Sequence, residues 1–220
     1  MRGPDLSLYL VLDPDLCRLH SMVETARAAV AGGATIVQLR DKAAGTEGLV
    51  EVGRALKAAL AGTGVPLIVN DDLEAALAVG AEGLHLGQDD MPAGAARQRI
   101  GRGRILGLSV ESEAAARAVD PAVVDYVGIG PVFATPTKPD HKPPIGFDGL
   151  ARLAAISTVP SVAIGGLKAA HVSPVLDAGA AGMAVVSAIC GQPDPEAAAR
   201  GLSAAILNWR RRGPVSGRAR

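Results

Sequence analysis

Charged side chains of both signs follow short apolar runs of this chain. Arg40 and Lys42 come after VQL, Asp71 follows IVN, and Asp90 follows LHLGQD. Carboxylates without His or Cys partners suit Mg²⁺, which typically takes one or two carboxylates together with waters and substrate phosphate oxygens. Cations that converge on the same place, with Lys138 as a third, favour a diphosphate ligand. The residue types therefore predict a magnesium-dependent diphosphate site, provided that the fold brings them together.

Eight short apolar runs are the elements that must position these side chains. They lie at 8–12, 35–39, 67–69, 84–86, 105–108, 126–129, 161–164 and 183–186. Their largely apolar character is typical of strands buried on both faces of a parallel sheet. Alanine- and leucine-rich segments between them, such as 47–62 and 169–179, predict helices that end at glycine.

A weak internal repeat supports an alternating βα order. GATIVQLR begins at Gly33, GAEGLHLG at Gly80 and GAAGMAVV at Gly179, and each is a helix-ending Gly-Ala that continues into a strand. We predict an α/β protein, a single (β/α)₈ TIM barrel over residues 1–208, followed by a disordered basic tail over 209–220. The alternative is an open doubly wound sheet, which would need a glycine-rich turn after the first strand. Here that strand ends in VLDPD.

The composition limits the kinds of molecule that the chain is expected to bind. The 220 residues carry a formal net charge of zero, which argues against general binding to nucleic acid or to an anionic membrane. No apolar stretch of about 20 residues predicts a membrane span. Cys17 and Cys190 lack metal-ligand spacing and indicate ordinary thiols in a reducing compartment. We predict a cytoplasmic protein that binds small molecules, and homo-oligomer formation stays open.

In a barrel, the carboxyl ends of all strands meet at one rim, where the active site forms. The polar residues after the predicted strands would share that rim: Gln38, Arg40, Asp41, Lys42, Asn70, Asp71, Asp72, Gln88, Asp89, Asp90 and Ser109. Gly165 and Gly166 after the seventh strand and Ser187 after the eighth fall where barrels often bind phosphate. Two sites that each bind an anionic group predict a reaction that joins two phosphorylated small molecules.

Simpler interpretations compete at several positions. An Asn-Asp-Asp run after a strand often only caps a helix; this is our interpretation of Asp72, and it stays open for Asp71. His85 lies inside an apolar strand, which favours a satisfied core histidine over a catalytic one. A Gly-Gly pair is common in ordinary turns. The functional interpretation gains weight because all of these features fall at one end of one predicted barrel.

The motifs also resemble a known family. VQLRDK (37–42), IVNDD (68–72), LHLGQDD (84–90), Ser109, DYVGIGPVFATPTK (125–138), AIGG (163–166) and VVS (185–187) are similar to thiamine phosphate synthases and occur in the family's order over about residues 8–200. The resemblance implies a transferase of alkyl groups other than methyl in thiamine biosynthesis, with Mg²⁺ as cofactor. It would join 4-amino-2-methyl-5-(diphosphooxymethyl)pyrimidine to 4-methyl-5-(2-phosphooxyethyl)thiazole, giving thiamine phosphate and diphosphate.

The resemblance also implies roles for individual residues. It assigns the pyrimidine diphosphate to Gln38, Leu39, Arg40, Asp41, Lys42, Asn70, Ser109 and Lys138. It assigns the thiazole phosphate to Thr135, Pro136, Thr137, Gly166, Val186 and Ser187. The magnesium ligands would be Asp71 and Asp90, and the catalytic contributions would come from Lys138, Arg40, Lys42 and Ser109.

The implied mechanism is loss of diphosphate followed by attack of the thiazole nitrogen on a pyrimidine-methyl cation. Such a reaction needs electrostatic stabilisation more than a general base, and the lack of an obvious nucleophile–histidine pair among the rim residues fits this mechanism. Three alternatives stay open. They are a thiazole tautomerase, another phosphate-binding barrel enzyme such as an epimerase, and a non-catalytic sensor of thiamine intermediates.

Overall fold

Strands and helices alternate along the chain in the computed structural model, which describes residues 3–135 and 142–212. The strands are β1 Leu8–Leu12, β2 Ile36–Leu39, β3 Leu67–Asn70, β4 Gly83–Leu86, β5 Ile105–Val110, β6 Tyr126–Ile129, β7 Ser161–Ala163 and β8 Gly182–Val185. The helices are α1 Ser21–Ala31, α2 Gly45–Leu60, α3 Leu73–Val79, α4 Ala93–Ile100, α5 Glu113–Arg117, α6 Gly146–Ile156, α7 Val172–Asp177 and α8 Pro195–Arg212. A 3₁₀ turn, Ala169–His171, precedes α7.

The strands form a closed parallel barrel in sequence order, which confirms the predicted (β/α)₈ fold. Pairing of Leu8 with Met183 joins β1 to β8 and closes the sheet. On the opposite side, His85 pairs with Gly107 and Ser109 pairs with Gly128. All the loops that follow strands therefore gather at one end of the barrel.

Each strand buries both of its faces, because side chains alternate between two separate cores. On β1, Leu8, Leu10 and Leu12 pack towards the helices, whereas Tyr9 and Val11 face the barrel interior. This arrangement explains the nearly continuous apolar character of the strands in the sequence. In the described residues, no helix is both long and apolar enough to cross a membrane.

Local capping chemistry fixes where α3 begins and ends. The carboxylate of Asp72 accepts a hydrogen bond of 2.8 Å from the backbone N–H of Ala75, which confirms Asp72 as the N-cap. Gly80 ends the helix in the left-handed conformation, with a φ of 67°. Because Asp72 serves as the cap, Asp71 is left for another role.

The predicted boundary between barrel and tail lies too early. Helix α8 continues to Arg212, four residues beyond 208. Its last turn is held in place by two contacts: the indole Nε1 of Trp209 donates to Asp177 at 2.9 Å, and Arg210 donates to the carbonyl of Ala181 at 3.0 Å. The rest of the predicted tail, 213–220, lies outside the described residues.

Candidate active site

A cavity of about 300 Å³ opens at the carboxyl ends of the strands. Loops after β2, β3 and β4 supply one side of it, and loops after β7 and β8 supply another. Eleven residues predicted for the site line this cavity: Gln38, Arg40, Lys42, Asn70, Asp71, Asp90, Ser109, Thr135, Gly166, Val186 and Ser187. The structure therefore brings together residues that are up to about 150 positions apart in the chain.

Other predicted site residues lie elsewhere. Leu39 is fully buried in the core between barrel and helices, because its side chain points to the opposite face of β2 from Gln38. The Asp41 carboxylate accepts a 2.9 Å hydrogen bond from the N–H of Ala43 in an exposed turn. Pro136, Thr137 and Lys138 lie outside the described residues, and their roles stay predictions.

Two carboxylates and one ammonium group lie close together in the cavity. Lys42 Nζ lies 2.9 Å from Asp71 Oδ2. Asp90 accepts a 2.6 Å hydrogen bond from the N–H of Gly87. Burial raises the pKa of Asp90, and a hydrogen bond and like charge from Asp71 add to this increase, while Gly87 and Lys42 oppose it. The two carboxyl groups are thus close enough to share a proton or a cation.

The backbone at Asp71 supports a special role for this residue. Its φ is 62°, in the left-handed region that residues with a side chain rarely adopt. Its N–H donates to the carbonyl of His85 at 2.8 Å, which ties the end of β3 to β4. This conformation separates Asp71 from the helix cap at Asp72 and turns it to the cavity and Lys42.

The donor set fits Mg²⁺ better than a transition metal. Within residues 3–135 and 142–212, no group of three or more His, Cys, Asp or Glu side chains could hold a metal. A pair of carboxylates is the usual protein contribution to a Mg²⁺ site that is completed by water and substrate phosphate. Asp71 and Asp90 therefore provide a suitable pair only if a phosphorylated ligand is also present.

The loop after β6 is fixed at its base against the end of β7. Val132 N–H donates to Ile164 O at 2.9 Å, and Phe133 N–H donates to Gly165 O at 3.1 Å. On the returning side, Ile145 N–H donates to Pro131 O at 2.9 Å. These bonds hold Thr135 at the cavity wall.

The glycine pair has a packing function that the sequence did not reveal. Gly165 and Gly166 have φ values of 105° and 63°. A Cβ at Gly165 would lie 2.7 Å from Pro131, and one at Gly166 would lie 2.8 Å from Phe133. Glycine is thus required here for close approach of the β6 loop, as well as for any backbone contact with an anion.

A histidine–serine pair lines the inner part of the cavity. His85 Nε2 is 3.0 Å from Ser109 Oγ, and His85 Nδ1 is 2.9 Å from the hydroxyl of Tyr126. Burial lowers the pKa of His85 to about 4, and the charge of Asp90 opposes this only in part. Both ring nitrogens have partners, so the interpretation as a satisfied histidine is supported, although the residue also lines the cavity.

Sequence reasoning missed the interior tyrosines Tyr9 and Tyr126. Both are fully buried inside the barrel, and their hydroxyls are 2.8 Å apart. The available signal was alternation: Tyr126 and Gly128 lie on the same face of β6, and Tyr9 and Val11 on the same face of β1. Gln88 and Glu111 also line the cavity without having been assigned a role.

A closed parallel barrel with a polar cavity at the carboxyl ends of its strands defines the class of (β/α)₈-barrel enzymes. Comparison with known proteins identifies the family within that class. The model of a family described as thiamine monophosphate synthase matches residues 8–189. The chain belongs to the thiamine-phosphate synthase family, and this membership places it among the transferases of thiamine biosynthesis that act on small molecules.

Individual relatives agree with this placement. A thiamine-phosphate synthase of Xanthobacter autotrophicus is 54% identical over 203 residues, covering 92% of this chain and 96% of the relative. One of Azorhizobium caulinodans is 50% identical over 207 residues, covering 94% and 98%. The solved structure of a thiamine phosphate pyrophosphorylase from Pyrococcus furiosus superposes with a TM-score of 0.83 at 35% identity, covering 93% of this chain and 97% of that one. These names favour a synthase over the tautomerase, epimerase and sensor alternatives.

Proposed function

We propose that the cavity joins the pyrimidine diphosphate to the thiazole monophosphate by loss of diphosphate and attack of the thiazole nitrogen. The observation that carries this proposal is the charge distribution in one cavity. Arg40 and Lys42 lie with the Asp71–Asp90 pair on the side of β2 to β4, and Gly166 and Ser187 lie at the ends of β7 and β8. One cavity therefore offers two places for anionic groups.

Bond breaking comes first in this scheme. The C–O bond between the pyrimidine methylene and the diphosphate breaks, and its electron pair leaves with the diphosphate. Arg40 and Lys42 stabilise the negative charge that develops on that leaving group, because fixed cations in a partly enclosed site need no reorganisation during the reaction. Mg²⁺, held by Asp71 and Asp90, would supply further electrostatic stabilisation of the same oxygens.

Neutral side chains surround the place where the pyrimidine cation would form. Gln38, Asn70 and Ser109 line the inner part of the cavity. They can hydrogen-bond the pyrimidine ring without adding a positive charge beside the cation. The thiazole nitrogen donates its lone pair to the methylene carbon, which forms the new C–N bond and gives thiamine phosphate.

The thiazole phosphate would bind between the β6, β7 and β8 loops. Thr135, Gly166, Val186 and Ser187 line that part of the cavity. The resemblance to the family adds Pro136 and Thr137 to this subsite and places Lys138 against the diphosphate. Val186 and Ser187 begin a tight turn in which the N–H of Cys190 donates to Val186 O at 2.8 Å, so the backbone of this subsite is held in place.

We also propose a cytoplasmic location. Cys17 and Cys190 are both buried and unpaired by a disulfide, and thiols of this kind are typical of proteins from reducing compartments.

A coupled assay tests the proposed reaction. Purified protein is mixed with both substrates and Mg²⁺, and thiamine phosphate and diphosphate are measured. We expect equal amounts of both products, and no product when either substrate or Mg²⁺ is left out. Diphosphate release without thiamine phosphate, or activity that does not depend on Mg²⁺, would contradict the proposal.

Ser187→Glu tests the thiazole phosphate subsite. A carboxylate at this position would repel the phosphate and fill part of its space, so we expect KM for the thiazole substrate to rise on the order of 100-fold, with a smaller change in KM for the pyrimidine substrate. Ser187→Gln adds nearly the same bulk without charge and is the matched control. A normal thiazole KM in the Glu variant would mean that the phosphate binds elsewhere.

A further inference from the structure

A continuous row of hydrogen bonds crosses the interior of the barrel from β2 to β5. Gln38 Nε2 donates to Tyr9 OH at 2.7 Å, and the two tyrosine hydroxyls are 2.8 Å apart. Tyr126 OH is 2.9 Å from His85 Nδ1, and His85 Nε2 is 3.0 Å from Ser109 Oγ. The row begins and ends on two residues of the proposed pyrimidine site.

Each hydrogen bond of the row can be assigned a donor and an acceptor, starting from Gln38. Tyr9 OH accepts from Gln38, so its own proton is free for Tyr126. When Tyr9 donates to Tyr126, the buried Tyr9 proton has an acceptor, and Tyr126 can donate its own proton to His85 Nδ1. A neutral imidazole that accepts at Nδ1 carries its proton at Nε2. That Nε2–H donates to Ser109 Oγ, which leaves the serine proton free to point into the cavity.

We propose that Tyr9, Tyr126 and His85 are positioning residues that fix Ser109 as a hydrogen-bond donor to the substrate. This inference rests on the proposed function, in which Ser109 contacts the pyrimidine. The pyrimidine ring has nitrogen lone pairs that accept hydrogen bonds, and a serine whose oxygen is already occupied by His85 presents only its proton. The row thus converts a rotatable hydroxyl into a donor of fixed direction.

The same row explains why the His85–Ser109 pair is not a nucleophilic pair. A histidine that activates serine must accept the serine proton at its near nitrogen. With the row in the direction given above, the near nitrogen, Nε2, carries a proton. The residue at Nδ1 is a tyrosine hydroxyl that donates, whereas a serine–histidine–aspartate triad places a carboxylate acceptor there. The pair therefore orients and does not activate Ser109.

Two glycines make room for the row inside the barrel. A Cβ on Gly107 would overlap the ring of Tyr126 and lie 2.5 Å from His85 Nδ1. A Cβ on Gly128 would lie 3.3 Å from His85 Cε1. Residues without side chains thus lie next to the His85 ring on β5 and β6, and they leave space for the row inside the barrel.

Tyr126→Phe tests the inference, because it removes one hydroxyl from the middle of the row and leaves the ring in place. Long-range ¹H–¹⁵N correlation spectra of ¹⁵N-histidine-labelled protein report which imidazole nitrogen carries the proton, and comparison with a His85→Gln sample assigns the signal. We expect protonation at Nε2 in the wild type and a mixture of tautomers in Tyr126→Phe. We also expect kcat to fall about tenfold in that variant, since one fixed hydrogen bond to the substrate is lost.

Matched variants separate this effect from a loss of stability. Thr25→Val removes a buried hydroxyl on α1, far from the row, and should change neither the His85 tautomer nor kcat. Tyr9→Phe, which also interrupts the row, replaces Tyr126→Phe if that variant does not fold. We expect a mixture of His85 tautomers and a lower kcat in Tyr9→Phe. An Nδ1-protonated His85 in the wild type, or normal kcat in folded Tyr126→Phe, would overturn the inference. Failure of the wild type to make thiamine phosphate would instead refute the proposed function, and the tautomer would still be measurable.

Discussion

Asp90→Asn is expected to lower kcat on the order of 100-fold at a fixed Mg²⁺ concentration and to raise the Mg²⁺ concentration needed for half-maximal activity. The carboxylate of Asp90 lies next to Asp71, and both desolvation and this neighbour raise its pKa. Two carboxylates held so close are unfavourable unless a proton or a cation lies between them. Asparagine is nearly isosteric and keeps an acceptor for the Gly87 N–H, but it removes the charge that would hold the metal.

The measurement is a Mg²⁺ titration of initial rates for the wild type and the variant, with folding checked by thermal unfolding. Asp89→Asn is the matched control, because it removes the same charge at the adjacent position, which is exposed as Asp90 is, and leaves Asp90 with its contacts to Gly87 and Asp71. We expect a far smaller shift in that titration. An unchanged Mg²⁺ titration in Asp90→Asn, or equal shifts in both variants, would refute a specific metal ligand and leave only a general effect of charge.

The fold was predictable because its strands are buried on both faces. Each of the eight apolar runs corresponds to a strand with bounds within two residues, since such strands stand out between alanine-rich helices. The rim also followed from the sequence, because a barrel brings the carboxyl end of every strand to one place. Asp71, Asp90 and Ser109 could therefore be grouped without any knowledge of distances.

The interior of the barrel was much less predictable. The contact between Tyr9 and Tyr126 joins residues 117 positions apart on strands that do not pair with each other. Such a contact depends on which residues share a layer of the barrel, and local periodicity does not determine that layer. In the sequence, both tyrosines and His85 look like ordinary core residues.

Two further differences have simple physical causes. Leu39 was included in the site because it lies within a contiguous run of site residues, but strand alternation turns its side chain away from the cavity. The tail was predicted to begin at 209 because apolar periodicity ends there. Helix α8 nevertheless continues through Trp209 and Arg210, since Trp209 still packs against the core and polar contacts with Asp177 and Ala181 hold the last turn.

Gly107→Ala is expected to be a strongly destabilising single-methyl change in the barrel interior. The added Cβ would overlap the ring of Tyr126 and press against His85 Nδ1, and both neighbours are fixed by hydrogen bonds as well as by packing. Overpacking of a closely packed core costs about 1–3 kcal/mol, and displacement of a buried hydrogen bond adds about 1–3 kcal/mol. We therefore expect the free energy of unfolding to fall by about 3 kcal/mol, and activity to fall with it even below the unfolding temperature.

Gly94→Ala provides the matched control for that change. Gly94 lies in α4, and a Cβ at this position would meet no heavy atom within 4 Å. Because alanine favours the helix and restricts the unfolded chain, Gly94→Ala should raise the free energy of unfolding by about 0.5 kcal/mol without changing activity. The free energy of unfolding, measured with denaturant, and kcat are compared between Gly107→Ala and Gly94→Ala. If Gly107→Ala is as stable and as active as the wild type, then the tyrosine–histidine row has room to move, and its direction cannot control Ser109.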